Sequence, residues 1–417
     1  MRSYPAESKR GNVTMSKRSL HAALAAAALL ALPATQAMAQ DSKPIRIGMI
    51  EDSTGPLQAY VKQVMTGFNL GIEYATKGTS TVAGRKLEFI VKDSQTKPEL
   101  GRSLLESAYS DDGDDLAIGG SSSAVALAML PVAQEQKKIL IVDAGVADSI
   151  TGAAWNRYIF RVDRNSSQDA VSNALAIGKP GVVVATLAQD YAFGRDGVAA
   201  FRTALATTGA QLVHEEYAPT NTTDFTAPAQ RIFDALSKRQ GEKILFVIWA
   251  GADPMTKLAA LNPSRLGITL ATGGNILPSL KAYNSVPALN GMQGATYYYF
   301  AIPHNPINDW LVKEHQARLH EPPDFFTADG MSTAMALVTA LQKTDGKTDA
   351  ESLIAAMEGM KFETPKGTMQ FRAADHQALQ SMYGFKLKVD PSQPWAVPEL
   401  TKEYTIEDMQ IPIANKR

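Results

Sequence analysis

The chain has 417 residues and a formal net charge of −1, with 41 Lys and Arg against 42 Asp and Glu. That balance leaves no basic footprint for nucleic acid. The absence of cysteine excludes disulfides, thiolate metal sites, cysteine nucleophiles and a lipid-modified cysteine.

Residues 1–39 read as a secretory signal peptide. Lys17 and Arg18 form a basic start after Met15, an apolar run follows from Leu20 to Leu32, and Ala37 and Ala39 hold the spacing of an A-x-A cleavage site. The run is too short to span a bilayer. Cleavage after Ala39 is expected, Met15 is a candidate true start, and the mature chain is expected in a bacterial periplasm without a lipid anchor.

Apolar, β-branched runs at 45–50, 87–93, 116–120 and 138–144 predict four strands. A second series at 181–188, 211–217, 243–250 and 267–273 predicts four more. Helical-period segments such as 124–136 and 194–209 lie between them. This alternation predicts an α/β chain with two parallel-sheet, doubly wound lobes. The stretch YIFRVDRNSSQ (158–168) breaks the rhythm and reads as a crossover, as does GATYYYFAIP (294–303). Helices are expected at 308–320 and 329–343, then a strand pair at 367–372 and 384–390. The lobes are expected to comprise 40–163 with 298–366, and 164–297 with 367–417.

Ligands of open parallel sheets bind beyond the carboxyl ends of strands. The loops there are rich in glycine, serine, alanine and aromatics and poor in charge, which suits a small-molecule cleft. The run Ser121–Ser123 fits neither a nucleophile elbow, since Ala124 stands where G-x-S-x-G needs glycine, nor a phosphate loop. It reads as the start of a helix whose Ser122 and Ser123 offer hydroxyls and amides to an anion; capping without a ligand is the simpler alternative. DDGDD (111–115) lacks the alternation and closing glutamate of a calcium loop and reads as a solvated turn. His315 and His320, five apart on a helix, lack a supporting acid for a metal site. Tyr297–Phe300 could pack between lobes or meet a ligand, and Tyr299 is the candidate there.

The order of segments, from the GP turn at 55–56 through AGRKLEFIVKDSQTKP, IGGSSSAVALAMLPVAQEQ, ADSITG, YIFRVDRNSSQ, QDYAFGRD and TDFTAPAQRI, resembles one family over about residues 44–390. It is that of the type I periplasmic solute-binding proteins of ABC transporters, which includes the leucine/isoleucine/valine-binding proteins. The resemblance implies two lobes with a three-crossover hinge, closing on a small-molecule ligand and delivering it to a membrane permease. No reaction and no cofactor is implied, and a monomer is the default.

Carried over by position, the family's carboxylate loop corresponds to Ser122, Ser123, Ala144 and Val146. Tyr60 corresponds to an aromatic wall, and Tyr191, Phe193 and Trp249 to Ala252, with Gly251 among them, to the second lobe's loops. Where amino-acid binders carry an acidic residue for the ligand's ammonium, this chain has Gly273, Gly274 and Asn275. Asp253 could substitute, or the ligand has no amine. The expected ligand is therefore a small carboxylate with a flat apolar body, an aromatic acid. Branched-chain amino acids, amides and aliphatic acids are alternatives, and a freestanding periplasmic sensor subunit is a functional alternative.

Overall fold

The computed structural model describes residues 43–415; the expected signal peptide lies outside them. The first sheet takes strands β1 (Ile45–Glu51), β2 (Thr81–Val82), β3 (Arg85–Asp93), β4 (Leu116–Gly119), β5 (Leu140–Val142) and β6 (Ile159–Arg161) in the order β2-β3-β1-β4-β5-β6. All pairings are parallel except β2–β3. Helices α1 (Gln58–Ala75), α2 (Pro98–Ser110) and α3 (Ser123–Gln136) are the crossovers.

The chain then enters the second lobe at α4 (Ser166–Ile177). There β7 (Val182–Gln189), α5 (Ala192–Ala206), β8 (Gln211–Ala218), α6 (Thr226–Ser237), β9 (Glu242–Ile248), α7 (Met255–Ala260), β10 (Ile268–Thr272), α8 (Leu277–Tyr283) and β11 (Gln293–Thr296) follow. Helices α9 (Pro306–Leu319), α10 (Phe325–Lys343) and α11 (Ala350–Met357) come next, and α10 and α11 return to the first lobe. A small sheet of β12 (Lys361–Thr364), β13 (Gly367–Phe371) and β14 (Ala378–Leu379) joins them there. The chain ends with β15 (Met382–Lys388), β16 (Val397–Tyr404) and the short α12 (Ile406–Met409). The second sheet runs β16-β15-β11-β10-β9-β7-β8, its β11–β15 and β15–β16 pairs antiparallel.

Both sheets are covered on two faces, and the strands show why. Along β1, Ile45, Ile47 and Met49 pack into one cluster while Ile50 packs into another, and all four are fully buried. A strand buried on both sides needs an unbroken apolar run. Glycine permits the closest helix contact: a Cβ on Gly67 of α1 would lie 1.8 Å from the Thr327 carbonyl oxygen, and one on Gly330 of α10 would lie 1.9 Å from that of Val64.

Two expectations about the C-terminal part are corrected. Strands β13 and β15 do not pair: β13 lies between β12 and β14, and β15 between β11 and β16. The expected lobe boundary at 366/367 falls inside the β12–β13 hairpin, where Thr364 pairs with Gly367. Met369, Phe371 and Ala378 pack in the first lobe's core, so the return to the second lobe comes between β14 and β15. Short alternating strands give the same local pattern in either sheet; only the partner decides. The DDGDD turn is also not wholly solvated, since Asp114 is fully buried with an oxygen 3.5 Å from Arg46 Nε.

Candidate functional site

The loops at the strand ends of both lobes meet around one cavity. It offers about 90 Å³ to the centres of water-sized spheres, several times the roughly 10–15 Å³ that one water needs. That space suits a small organic molecule. Ser121, Ser123, Ala144 and Val146 line it from the first lobe, Tyr191, Phe193 and Trp249 from the second.

The serine run acts differently from a simple cap. Ser122 is the residue before α3, yet no side chain caps that helix. The Ser122 N–H donates to Asp52 Oδ2 at 2.5 Å. Ser123 Oγ accepts from the amides of Val146 at 3.2 Å and Ala147 at 3.1 Å, which ties two strand-end loops together. Its own hydroxyl hydrogen has no acceptor among the described residues. Ser121 Oγ contacts Glu51 Oε2 at 3.4 Å.

Beneath these serines lies an acid pair that the strand reading passed over. Glu51 and Asp143, at the ends of β1 and β5, are fully buried, and each carboxyl group feels the other's charge or proximity. Burial, then the Asp143 charge, raises Glu51 well above the usual carboxylate range, and burial raises Asp143 likewise. No cation among the described residues pairs with them, so no opposite charge offsets burial, and both acids favour the protonated form more than free carboxyls do.

The crossover contributes what the sequence reading missed. Arg161 and Arg164 both belong to YIFRVDRNSSQ, and both are buried. Arg161 is fully engaged: it donates to Gln377 Oε1 (2.6 Å), the Gly145 and Ala147 carbonyls (3.1 and 2.7 Å) and Thr151 Oγ1 (2.6 Å). Arg164 lines the cavity. Its Nη1 donates to Asp163 and its Nε to Asp169 Oδ1 at 3.2 Å; Nη2 makes no hydrogen bond among the described residues. Burial opposes its charge, but Asp163 and Asp169 outweigh that and push its pKa up. Its Cζ lies 4.6 Å from the Tyr297 ring centroid and 5.1 Å from that of Phe325, contacts worth about 0.5–2 kcal/mol each. The result is a permanently charged donor with one free nitrogen.

Asp169 also lines the cavity and keeps 29 % of its side-chain surface accessible. Burial pushes its pKa up to about 6 against the pull of Arg164. Phe325 and Phe326 complete the wall; Tyr60 stacks on Phe326 at 4.5 Å between centroids.

Of the residues expected from sequence, Tyr60, Ser123, Ala144, Val146, Tyr191, Phe193 and Trp249 line the cavity. Gly251 stands at its rim, its N–H donating to the Tyr60 hydroxyl at 2.8 Å. Ser122, Asn275 and Tyr299 do not line it. Tyr299 instead packs in the second lobe's core and accepts a bond from Trp395 Nε1 at 3.0 Å. Asn275 is buried, both its amide atoms lacking a partner among the described residues. Asp253, considered as an ammonium partner, is held by the Tyr283 hydroxyl and by Met255 N–H at 2.7 Å. The acid that reaches the cavity is Asp169. Among the described residues, no group of three or more His, Cys, Asp or Glu side chains could hold a metal ion.

Residues 44–392 match the sequence model of the periplasmic binding proteins. The chain belongs to the periplasmic binding protein family. Its fold and its relatives are of one kind. It is 65% identical to an ABC-type branched-chain amino acid transporter protein of Rhodopseudomonas palustris, with a TM-score of 0.79, covering 89% of this chain and 100% of that one. A solute-binding protein of an ABC transporter from the BisB5 strain of that species, solved with 3,4-dihydroxybenzoic acid, is 27% identical, with a TM-score of 0.76 over 88% of this chain and 98% of that chain. The Leu/Ile/Val-binding protein homolog 6 of Brucella suis is 24% identical over 381 residues, 87% of this chain and 91% of its own length. As a periplasmic binding protein, the chain has the two-lobed type I fold that its segment order implied. No described helix is long and apolar enough to cross a membrane.

Proposed function

We propose that this protein is the periplasmic solute-binding component of an ABC uptake transporter and that it captures a small aromatic carboxylate, releasing it unaltered. The observation that carries the ligand class is Arg164: a buried guanidinium with a free Nη2 in a cavity walled by Tyr60, Tyr191, Phe193, Trp249, Phe325 and Phe326. A carboxylate meets that nitrogen and the free Ser123 hydroxyl through charge-assisted bonds, and its ring meets aromatic faces. The relative solved with 3,4-dihydroxybenzoic acid supports the same class. The protein acts as a monomer after cleavage of its signal peptide, and an inner-membrane permease receives the ligand. It has no catalytic role.

A second reading has its own observation. Asp169 beside Arg164 offers an acid and a base to an α-amino acid head group, and the 65% identical relative is called a branched-chain amino acid transporter protein. Calorimetry with benzoate, 3,4-dihydroxybenzoate and leucine decides between the two. Tight binding of leucine with none of either aromatic acid would replace the first reading with the second. Uptake measured in vesicles bearing the cognate permease tests the transport role, and stimulation of a kinase without uptake would make the protein a sensor subunit.

A further inference from the structure

We propose that capture of an organic acid in this cavity takes up one proton from solvent, held on Asp169 beside the bound carboxylate. The inference rests on the anion-binding reading above and concerns how the site accommodates the ligand's charge.

One cation already serves two anions. The Arg164 guanidinium stands between Asp163, on Nη1, and Asp169, on Nε at 3.2 Å. The charged and titratable groups packed around this trio do not correct the imbalance. From α10 and the β12–β13 turn come Asp329 and Lys366, paired with each other at 3.1 Å and both fully buried. From the turn after β5 comes Asp148, which accepts from Ser167 N at 2.9 Å and Oγ at 2.5 Å. Arg161, from β6, offsets that charge and has its donors on carbonyls, Gln377 and Thr151. From the segment just after β11 comes the Tyr297 phenol, donating to the Phe325 carbonyl at 3.0 Å. Across the cavity floor stand the buried acids Glu51 and Asp143, with no cation paired to them among the described residues, and Asp52 accepts from Ser94 and Ser122.

A carboxylate arriving at Arg164 Nη2 is thus a third anion on one guanidinium, in an apolar cavity where like charges repel strongly. Protonating one aspartate removes the conflict. Asp163 is sealed, with a fully buried side chain under Arg164. Asp169 faces the cavity, and its Oδ2 has no partner among the described residues. A proton on Oδ2 makes it a donor to the ligand carboxylate, so acid and proton enter together and the cluster's net charge is unchanged. The raised pKa of Asp169, about 6 before any ligand arrives, shortens the step. A zwitterionic amino acid brings no net charge and needs no such proton.

The test counts protons. Benzoate and 3,4-dihydroxybenzoate are titrated calorimetrically at pH 7.5 in phosphate and in Tris, whose ionisation enthalpies differ. The expected result is uptake of about half to one proton per ligand, with Kd weakening up to about tenfold per pH unit above pH 6. In Asp169→Asn both the uptake and the pH dependence should vanish. Binding without proton uptake, or uptake undiminished in Asp169→Asn, overturns this inference and leaves the aromatic-acid reading standing. Failure of both acids to bind at any pH, with or without leucine binding, overturns the two together.

Discussion

Tyr60 and Gly251 are bonded across the cleft: the Gly251 N–H donates to the Tyr60 hydroxyl at 2.8 Å. Tyr60 lies on α1 of the first lobe and Gly251 in the loop after β9 of the second, so this bond exists only when the lobes are together. A second link stands on another edge, where Ser149 N–H donates to Asp196 Oδ2 at 2.8 Å. A ligand that touches both lobes adds its affinity for the closed form to these contacts.

Tyr60→Phe keeps the ring on Phe326 and removes the bond to Gly251. The loss of about 1 kcal/mol should weaken ligand binding roughly fivefold and enlarge the radius of gyration of the free protein in X-ray scattering. An unaltered Kd with unaltered scattering would show that this bond does not bias closure.

Arg164→Lys retains a cation but loses the planar fork that reaches Asp163, Asp169 and the cavity together. Ligand binding should weaken about 10- to 100-fold, as expected for one charge-assisted bond of about 1.5–3 kcal/mol. Arg164→Leu should instead destabilise the fold by about 3–5 kcal/mol, because the fully buried Asp163 carboxylate loses its cation and the half-buried Asp169 loses it too. Chemical denaturation separates the two effects. Wild-type affinity in Arg164→Lys would remove Arg164 from the site.

Tyr191→Ala removes a cavity wall without opening a core, since Tyr191 precedes α5 and caps it with no side-chain bond. Binding should weaken at least threefold to tenfold, from about 0.5–1.5 kcal/mol of ring contact beyond area burial. The melting temperature should stay within a few degrees. A large fall in melting temperature with unchanged Kd would make Tyr191 a packing residue.

Asp143→Asn tests the acid pair. A carboxyl whose folded-state pKa is raised stabilises the fold fully below its unfolded value, roughly pH 4. That contribution is lost as pH rises through the raised value. The wild type should therefore lose stability as pH rises from about 4 through about 6 and further as Glu51 ionises above that, by about 1.4 kcal/mol for every tenfold by which folding weakens the acid. Asp143→Asn should show a flatter profile and gain relative stability at pH 8. Parallel profiles would mean that the Glu51–Asp143 pair does not titrate in this range.

Legibility varied along the chain for physical reasons. The central parallel strands were readable because strands covered on two faces must be continuously apolar, as β1 and β7 are, whereas β3 and β8 are only half-buried. Seven of the expected pocket residues were readable because loops after such strands converge at one end of the sheets. Ser123 lines the cavity, but its bonds to the Val146 and Ala147 amides come from a loop 23 residues away, and nothing local signals them. The pairing of β13 was misread because short, half-buried strands carry the same alternation whichever sheet receives them.

The sequence by itself determined the two-lobed α/β architecture and the strand-end loops that face the cleft, because hydrophobic periodicity and the order of segments are local properties of the chain. Only the tertiary structure decided which charges matter there. Arg161 and Arg164 stand three residues apart in one crossover, and no local pattern distinguishes them. Packing saturates the first with Gly145, Ala147, Thr151 and Gln377, and leaves the second with a free nitrogen beside Asp169 at the cavity wall. A donor becomes available to a ligand only through what its distant neighbours do not take, and those neighbours are brought together by folding.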